Sequence, residues 1–286
     1  MKEFKRKCHF EKFSDKHINH RYVKSKSSKE DDDKMKHISQ QTTKINTIRL
    51  NKVLSNNGIC SRRKADDLIS KGLIYVNDKK VTELGYKVSN NDTIRYKNHV
   101  IQNNKTQYQY ILLNKPINCV TTLHDPQCRR TVMDIIDNQS LGHLYPIGRL
   151  DRNTTGVLLL TNDGNLTYRL SHPSFEIKKI YDVELDKTLT ISDKQKLMNG
   201  IKLEDGLMKC DNVEIKDDNH VYVTIHSGKN RIIRRLFEHM NYRIKSLDRI
   251  NYAGITKKGL ARGKWRYLSK NELDLIINNK NKCLHI

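Results

Sequence analysis

Asp151 is the single carboxylate of the loop Tyr145-Pro146-Ile147-Gly148-Arg149-Leu150-Asp151-Arg152-Asn153-Thr154-Thr155-Gly156. An isolated aspartate in a loop is far more often a turn former or a helix cap than a catalyst. Two features weigh against that reading here. Arg149 and Arg152 flank the carboxylate, and neighbouring guanidinium groups keep a carboxyl ionised even when a bound base excludes water. The sequence also lacks the alternatives: it has no Gly-rich phosphate loop, no paired histidines for a metal and no Ser-His-Asp set. A single ionised carboxylate can attack a sugar carbon as a nucleophile or accept a proton.

Two further runs carry reactive side chains. Lys178 to Leu185 alternates as a strand, and a period of two puts Tyr181, Val183 and Leu185 on one face. Spacing alone favours a core role for Tyr181. A phenol could instead lay its flat face against a base. The run Ser227-Gly228-Lys229-Asn230-Arg231-Ile232-Ile233-Arg234-Arg235-Leu236-Phe237 gathers Arg231, Arg234 and Arg235 at the start of a helix. Cations there oppose the helix dipole, so RNA phosphate or a carboxylate such as Asp151 is expected to compensate them. A merely solvated basic face suits Arg235 better than Arg234.

The elements that must position these groups are legible in the spacing. The Asp151 loop, held between a proline and two glycines, feeds the apolar run Val157 to Thr161, which reads as a buried strand. Tyr108 to Leu113 reads as another strand, closed by Asn114-Lys115-Pro116. Val221, Val223 and Ile225 alternate into the Arg-rich helix, for which Asn230 is the expected N-cap and Ile233, Leu236, Phe237 and Met240 the apolar stripe. Upstream, Leu50, Val53 and Leu54 fall at helical spacing, and Ser61 is placed to cap a second helix with Ala65, Leu68 and Ile69 on one face. Gly72 sits at its C-terminal end, Leu73 to Val81 reads as a hairpin, and Thr93 to Tyr96 as a third strand.

These elements predict an α+β protein. Residues 1–46 carry 13 Lys and Arg against 7 Asp and Glu without helical or strand periodicity, and are expected to form a disordered basic tail. Residues 47–97 are read as a small αβ RNA-binding domain, 98–106 as a linker, 107–277 as the larger domain and 278–286 as a C-terminal tail. The tail 1–46 serves either as a non-specific RNA tether or as a solvating extension.

Charge identifies the partner class. Lys and Arg total 54 against 32 Asp and Glu, a formal net charge of +22 on 286 residues. Such an excess points to a polyanion, because each neutralised phosphate also releases counterions. Arg49, Lys52, Arg62, Arg63 and Lys64 crowd the two short N-terminal helices, a concentration suited to RNA phosphates. The longest apolar run, Val157 to Leu160, is far below the roughly 20 residues that cross a bilayer, and no signal peptide follows the basic N-terminus. Cys8, Cys60, Cys119, Cys128, Cys210 and Cys283 are scattered without a C-x-x-C pair, as free thiols in a reducing cytoplasm would be.

Two resemblances join these motifs. Ile48 to Tyr96 is similar to the RNA-binding domain named after ribosomal protein S-four, in Arg49-Leu50-Asn51-Lys52, Ser61-Arg62-Arg63-Lys64-Ala65 and the strand ending Val76-Asn77. From about Ile48 to Leu275 the chain resembles the rRNA pseudouridine synthases of the RsuA/RluB type. The resemblance rests on Gly148 to Gly164, Arg169-Leu170-Ser171-His172-Pro173, Lys179-x-Tyr181 and Gly228-Lys229-Asn230-Arg231-x-x-Arg234-Arg235, in that order. It implies a mixed, largely antiparallel catalytic sheet with the cleft across its middle. It also implies that Asp151 is the catalytic aspartate, Tyr181 stacks on the target base, Arg234 pairs with the aspartate, Ile233 packs beneath the base and Lys115-Pro116 shapes the site. Arg149 is expected to support the site, and Arg231 and Arg235 to bind RNA. Ile232 departs from the usual glutamine, with a local packing change expected. The reaction so implied detaches uracil from ribose and rejoins it through carbon 5, on a base flipped from its stack, with no metal or organic cofactor. Leu247 to Ile250 and Lys258 to Leu268 resemble the large-subunit branch, favouring 23S over 16S ribosomal RNA; the expected partner is that RNA or a ribosomal assembly intermediate, and the expected state is a monomer.

Two rivals remain at this level. A non-catalytic ribosome-assembly factor would explain the charge and residues 48–96, but leaves the Asp151 loop and Lys179-x-Tyr181 without a purpose. A methyltransferase would need a Gly-rich cofactor loop, which the sequence lacks.

Overall fold

A computed structural model describes residues 47–101, 107–136 and 143–278. The expected basic tail 1–46, linker residues 102–106 and the chain end from 279 lie outside the described residues.

The small domain opens with β1 (Ile48–Arg49), α1 (Leu50–Asn56) and α2 (Arg62–Ser70). Leu50, Val53, Leu54, Ala65, Leu68 and Ile69 are all buried, so the two helices pack by the stripes that their spacing predicts. Ser61 Oγ accepts from Lys64 N, as an N-cap should. Gly72 follows α2 with φ +65, a left-handed turn that costs glycine little. Then come β2 (Ile74–Val76), β3 (Lys79–Val81), β4 (Lys87–Val88), β5 (Ile94–Tyr96) and β6 (His99–Ile101). They form a sheet of order β3-β2-β5-β6, with β4 pairing β1 instead.

β6 revises the expected linker, because residues 99–101 pair antiparallel with β5. The turn that returns the chain is Lys97-Asn98, both at positive φ, as two-residue hairpins require. His99 and Val100 are exposed, so no apolar alternation marks the strand in sequence.

The larger domain contains β7 (Tyr110–Lys115), β8 (Tyr145–Pro146), β9 (Thr155–Thr161), α3 (Gly164–Ser171), β10 (Lys179–Leu185), α4 (Ile191–Asn199), β11 (Ile201–Leu203), β12 (Gly206–Met208), β13 (Asn212–Ile215), β14 (His220–Ile225), α5 (Ile232–His239), β15 (Ile244–Tyr252), β16 (Ile255–Thr256), β17 (Trp265–Tyr267) and α6 (Lys270–Asn278). Its main sheet runs β13-β14-β10-β15-β9-β7-β17. Pairing is antiparallel except between β15 and β9, which meet in parallel over Asp248↔Thr155 and Arg249↔Gly156. Both faces are covered. Leu158 and Leu160 join a core with Val183, Val223, Leu236 and Phe237, while Val157 and Leu159 face Leu112, Tyr252 and Ile276. That double burial explains why β9 reads as a continuous apolar run instead of an alternating one.

Ile232 is the first residue of α5 and is buried, so an aliphatic side chain suits the position. The expected cap at Asn230 is not formed. Arg231 takes the N-cap position with φ 48 and no side-chain cap, while the Asn230 carbonyl accepts from Arg235 Nε. The two domains touch where Lys52 Nζ donates to Asn165 Oδ1 at 3.0 Å and His143 Nε2 meets the Gly58 carbonyl at 2.6 Å. Among the described residues no helix is long and apolar enough to cross a membrane.

Candidate functional site

A cleft opens over the parallel junction of β9 and β15, and Asp151 enters it from the loop between β8 and β9. The loop is fixed from beneath. Lys115, wholly buried at the end of β7, donates from Nζ to the carbonyls of Thr154 (2.9 Å), Pro116 (3.1 Å), Asp151 (3.1 Å) and Arg152 (3.3 Å). Burial draws this lysine down to about 8, against the pull of Cys119 and Asp151, so it remains an ammonium at neutral pH. Thr121 Oγ1 donates to the Leu150 carbonyl at 2.9 Å, and Ile147 N to Leu159 O at 2.8 Å. Gly156 closes the loop at φ +103, where a Cβ would stand 2.1 Å from the Arg249 carbonyl. Only glycine permits β9 to approach β15 there.

The opposite wall comes from β10, β15 and α5. Tyr181 is 8% exposed, packs in the core with Val183 and also lines the cleft. Lys179 donates to the His226 carbonyl at 2.7 Å, and burial together with Arg249 pulls it down to about 8. Arg249 is buried, donates from Nε to the Val157 carbonyl at 2.8 Å and lies over the Tyr252 ring at 4.5 Å. Ile233 is buried at the cleft edge.

Of the residues singled out in sequence, Arg149, Asp151, Tyr181, Arg231, Ile233 and Arg234 share this cleft. The Asp151 carboxylate makes no hydrogen bond or ion pair among the described residues, and it is the only carboxylate of the lining. The expected Arg234–Asp151 pair is therefore not closed. Arg234 Nη2 instead donates to the carbonyl of Asn153, two residues along the same loop, at 3.3 Å. Burial and the neighbouring Arg231 lower its pKa, and Asp151 raises it. Arg235 lies outside the cleft, held by both Asp205 oxygens at 2.9 and 3.0 Å. Lys229 donates to the Asp205 carbonyl at 2.7 Å. Asp205, in the β11–β12 turn, thus supplies the compensation that the α5 terminus needs, where Asp151 or RNA was expected. Arg49, Lys52, Arg62, Arg63 and Lys64 lie on or beside α1 and α2; Arg49 and Arg62–Lys64 are exposed and Lys52 half-buried.

Lys115, Lys179 and Arg249 do more at the site than their spacing suggested. For Arg249 a signal existed: β15 alternates, and Leu247, Arg249 and Tyr252 are its buried positions. A charged side chain at an interior strand position is a site candidate. Chemically, the cleft offers one unengaged carboxylate among cations, beside an aromatic ring and an aliphatic wall. That set suits attack on, or proton removal from, the sugar of a polyanionic substrate whose base is sandwiched nearby.

Comparison with known proteins gives the same reading. Residues 109–239 match the family model described as RNA pseudouridylate synthase, and residues 48–94 match the S4 domain. The chain is 38% identical over 233 residues to ribosomal large subunit pseudouridine synthase B of Bacillus subtilis (strain 168), covering 79% of this chain and 93% of that one. It is 32% identical over 228 residues to the dual-specificity RNA pseudouridine synthase RluF of Escherichia coli (strain K12), covering 79% and 77%. A solved pseudouridylate synthase structure superposes with a TM-score of 0.59 at 27% identity, over 80% of this chain and 99% of that one.

Proposed function

Because the chain belongs to the RNA pseudouridylate synthase family, an isomerase family that converts uridine to pseudouridine, we propose that its substrate is ribosomal RNA of the large subunit and that Asp151 is its catalytic group. The observation that carries this reading is the free Asp151 carboxylate, alone among cleft cations, on a loop clamped by Lys115. The 23S preference is supported by the similarity to the Bacillus subtilis large-subunit enzyme.

The target uridine leaves its stack at a cost of a few kcal/mol. Basic groups on α1, α2 and α5 offset that cost by holding the flanking phosphates. The base enters between Tyr181 and Ile233, and Asp151 engages the ribose. The bond from C1′ to N1 breaks, uracil turns, C5 bonds to C1′, the C5 proton leaves to water and N1 takes up a proton from water. Arg149 and Arg234 border the carboxylate, and Arg234 is free to exchange the Asn153 carbonyl for Asp151 when the loop is loaded. On this reading the enzyme works as a monomer on ribosomal RNA in the cytoplasm.

The test uses unmodified 23S and 16S transcripts labelled with tritium at C5 of uracil, incubated without cofactor. Wild type is expected to release tritium from 23S RNA and Asp151→Ala to release none while still binding RNA. Release by the variant would remove Asp151 from the mechanism. Preference for 16S would overturn the branch, and no release by wild type from naked RNA or assembly intermediates would leave a binding protein.

A further inference from the structure

Arg249 is 2% exposed, yet its guanidinium spends only one of five N–H donors on a protein acceptor among the described residues, the Nε bond to Val157. Nη2 is buried with no hydrogen-bond partner. Buried guanidinium groups are ordinarily satisfied on both sides, so an orphaned one marks a place where a ligand completes the set. The preceding carboxylate cannot serve. Asp248 is engaged by Thr155 at 2.7 Å, by Arg262 at 2.9 Å and by Lys257. Lys115 and Lys179 lie close enough that Arg249 disfavours their charged forms, and among the described residues Arg249 itself makes no ion pair. Its plane is fixed by stacking on Tyr252, and both side chains line the cleft with Asp151 and Tyr181.

We propose that Arg249 is a substrate-contacting catalytic residue, whose guanidinium donates to a carbonyl oxygen of the flipped uracil and stabilises the charge that develops there. The proposal rests on the uridine chemistry and the Asp151 assignment above. When the bond from C1′ to N1 breaks, its electron pair passes to the uracil ring and spreads onto O2 and O4. A fixed, buried cationic donor then gains strength as the bond breaks, without reorganising. When C5 attaches to C1′, a pair from the uracil anion forms the new carbon–carbon bond; the C5 proton then departs to water, its bond pair returns to the ring and N1 takes up a proton from water. With O4 as the oxygen read, the same donor would also discriminate against cytosine, which presents an amino group there.

The experiment measures tritium release at saturating and limiting RNA for wild type, Arg249→Met and Arg249→Lys, with Asp151→Ala as the inactive reference. Transcripts are also made with 4-thiouridine or 2-thiouridine replacing uridine, since sulfur is the poorer acceptor. Arg249→Met is expected to lower kcat by about 100-fold with KM within twofold, and Arg249→Lys to recover part of it. One of the two sulfur substitutions should slow wild type, identifying the oxygen read, and leave Arg249→Met unaffected. Should the Met variant melt early, the Lys variant reads the same coupling in folded protein. Unchanged kcat would overturn the proposal. So would a raised KM with normal kcat, the mark of a phosphate anchor, or sulfur effects equal in wild type and variant, the mark of a structural role. Failure of wild type to release tritium from any RNA would instead overturn the assignment of the reaction itself.

Discussion

Replacing Lys115 with methionine separates what the buried lysine does for folding from what it does for the site. The stem stays and the ammonium goes, leaving the carbonyls of Pro116, Asp151, Arg152 and Thr154 without their shared donor. Bonds from a charged donor contribute about 1.5–3 kcal/mol each. Pro116, Asp151 and Arg152 are not fully buried and can recruit water, so the stranded acceptor is chiefly Thr154, a loss of about 1.5–3 kcal/mol. Against that stands the cost of burying the charge. A fall in pKa from 10.5 to about 8 corresponds to roughly 3 kcal/mol, which the substitution relieves. The two nearly cancel, so urea unfolding should shift by no more than about 2 kcal/mol. Catalysis has no such offset. A loop freed to move the Asp151 carboxylate by about 1 Å loses roughly 100-fold in kcat, while RNA affinity, carried by surface cations, stays within twofold. Tritium release under saturating RNA, beside a urea titration of the same preparation, measures both quantities. A variant with normal stability and kcat within threefold of wild type would refute the reasoning, because Thr121 and the sheet alone would then hold the loop.

Gly156→Ala should destabilise by about 3 kcal/mol or more in urea unfolding, since its Cβ would fall 2.1 Å from Arg249 O and 2.6 Å from Asp248 Oδ1 at positive φ. Changing Arg62 and Arg63 together to alanine should weaken RNA binding and reduce the slope of log K against log salt by about one to two; an unaltered slope would mean that α2 does not touch phosphate. Lys115 and Lys179 both titrate near 8 when folded and 10.5 when unfolded, so the unfolded chain binds more protons above pH 8 and stability should rise from pH 8 toward 9. Above pH 9 the Cys210 thiol, raised by burial to about 12, acts in the opposite direction, so the rise should flatten there, and chemical denaturation at each pH checks both limbs.

The fold was legible wherever burial follows a period. The helices of the small domain, the Ser61 cap, the Gly72 turn and the alternation of β10 and β14 all follow from side-chain spacing that the packing obeys. The Asp151 loop was legible as a mount because proline and glycine leave their marks on the chain. What stayed hidden depends on contacts between distant segments. Nothing near Asp205 announces that it pairs with Arg235 thirty residues later, and nothing around Asn153 announces that its carbonyl takes Arg234. Asn230 is a good cap by type, yet Arg235 Nε claims its carbonyl and the helix begins two residues on. The role of Lys115 is likewise a product of folding, because the carbonyls it holds, beyond Pro116, lie 36 to 39 residues away.

The two-pair parallel step between β9 and β15 divides the sheet into two antiparallel plates, and the residues that build the cleft are shared out between them. Asp151 and Lys115 ride on one plate, Tyr181, Lys179 and Arg249 on the other. Little backbone ladder crosses the seam, so the plates are joined mainly by apolar contacts on both faces and by side-chain rivets at Asp248 and Arg249. Assembly of the active centre is therefore an event of docking, completed only when both plates are formed and the seam has closed. A chain emerging from the ribosome carries Asp151 long before it carries the facing wall, and β15 is the last strand to bring residues to the cleft.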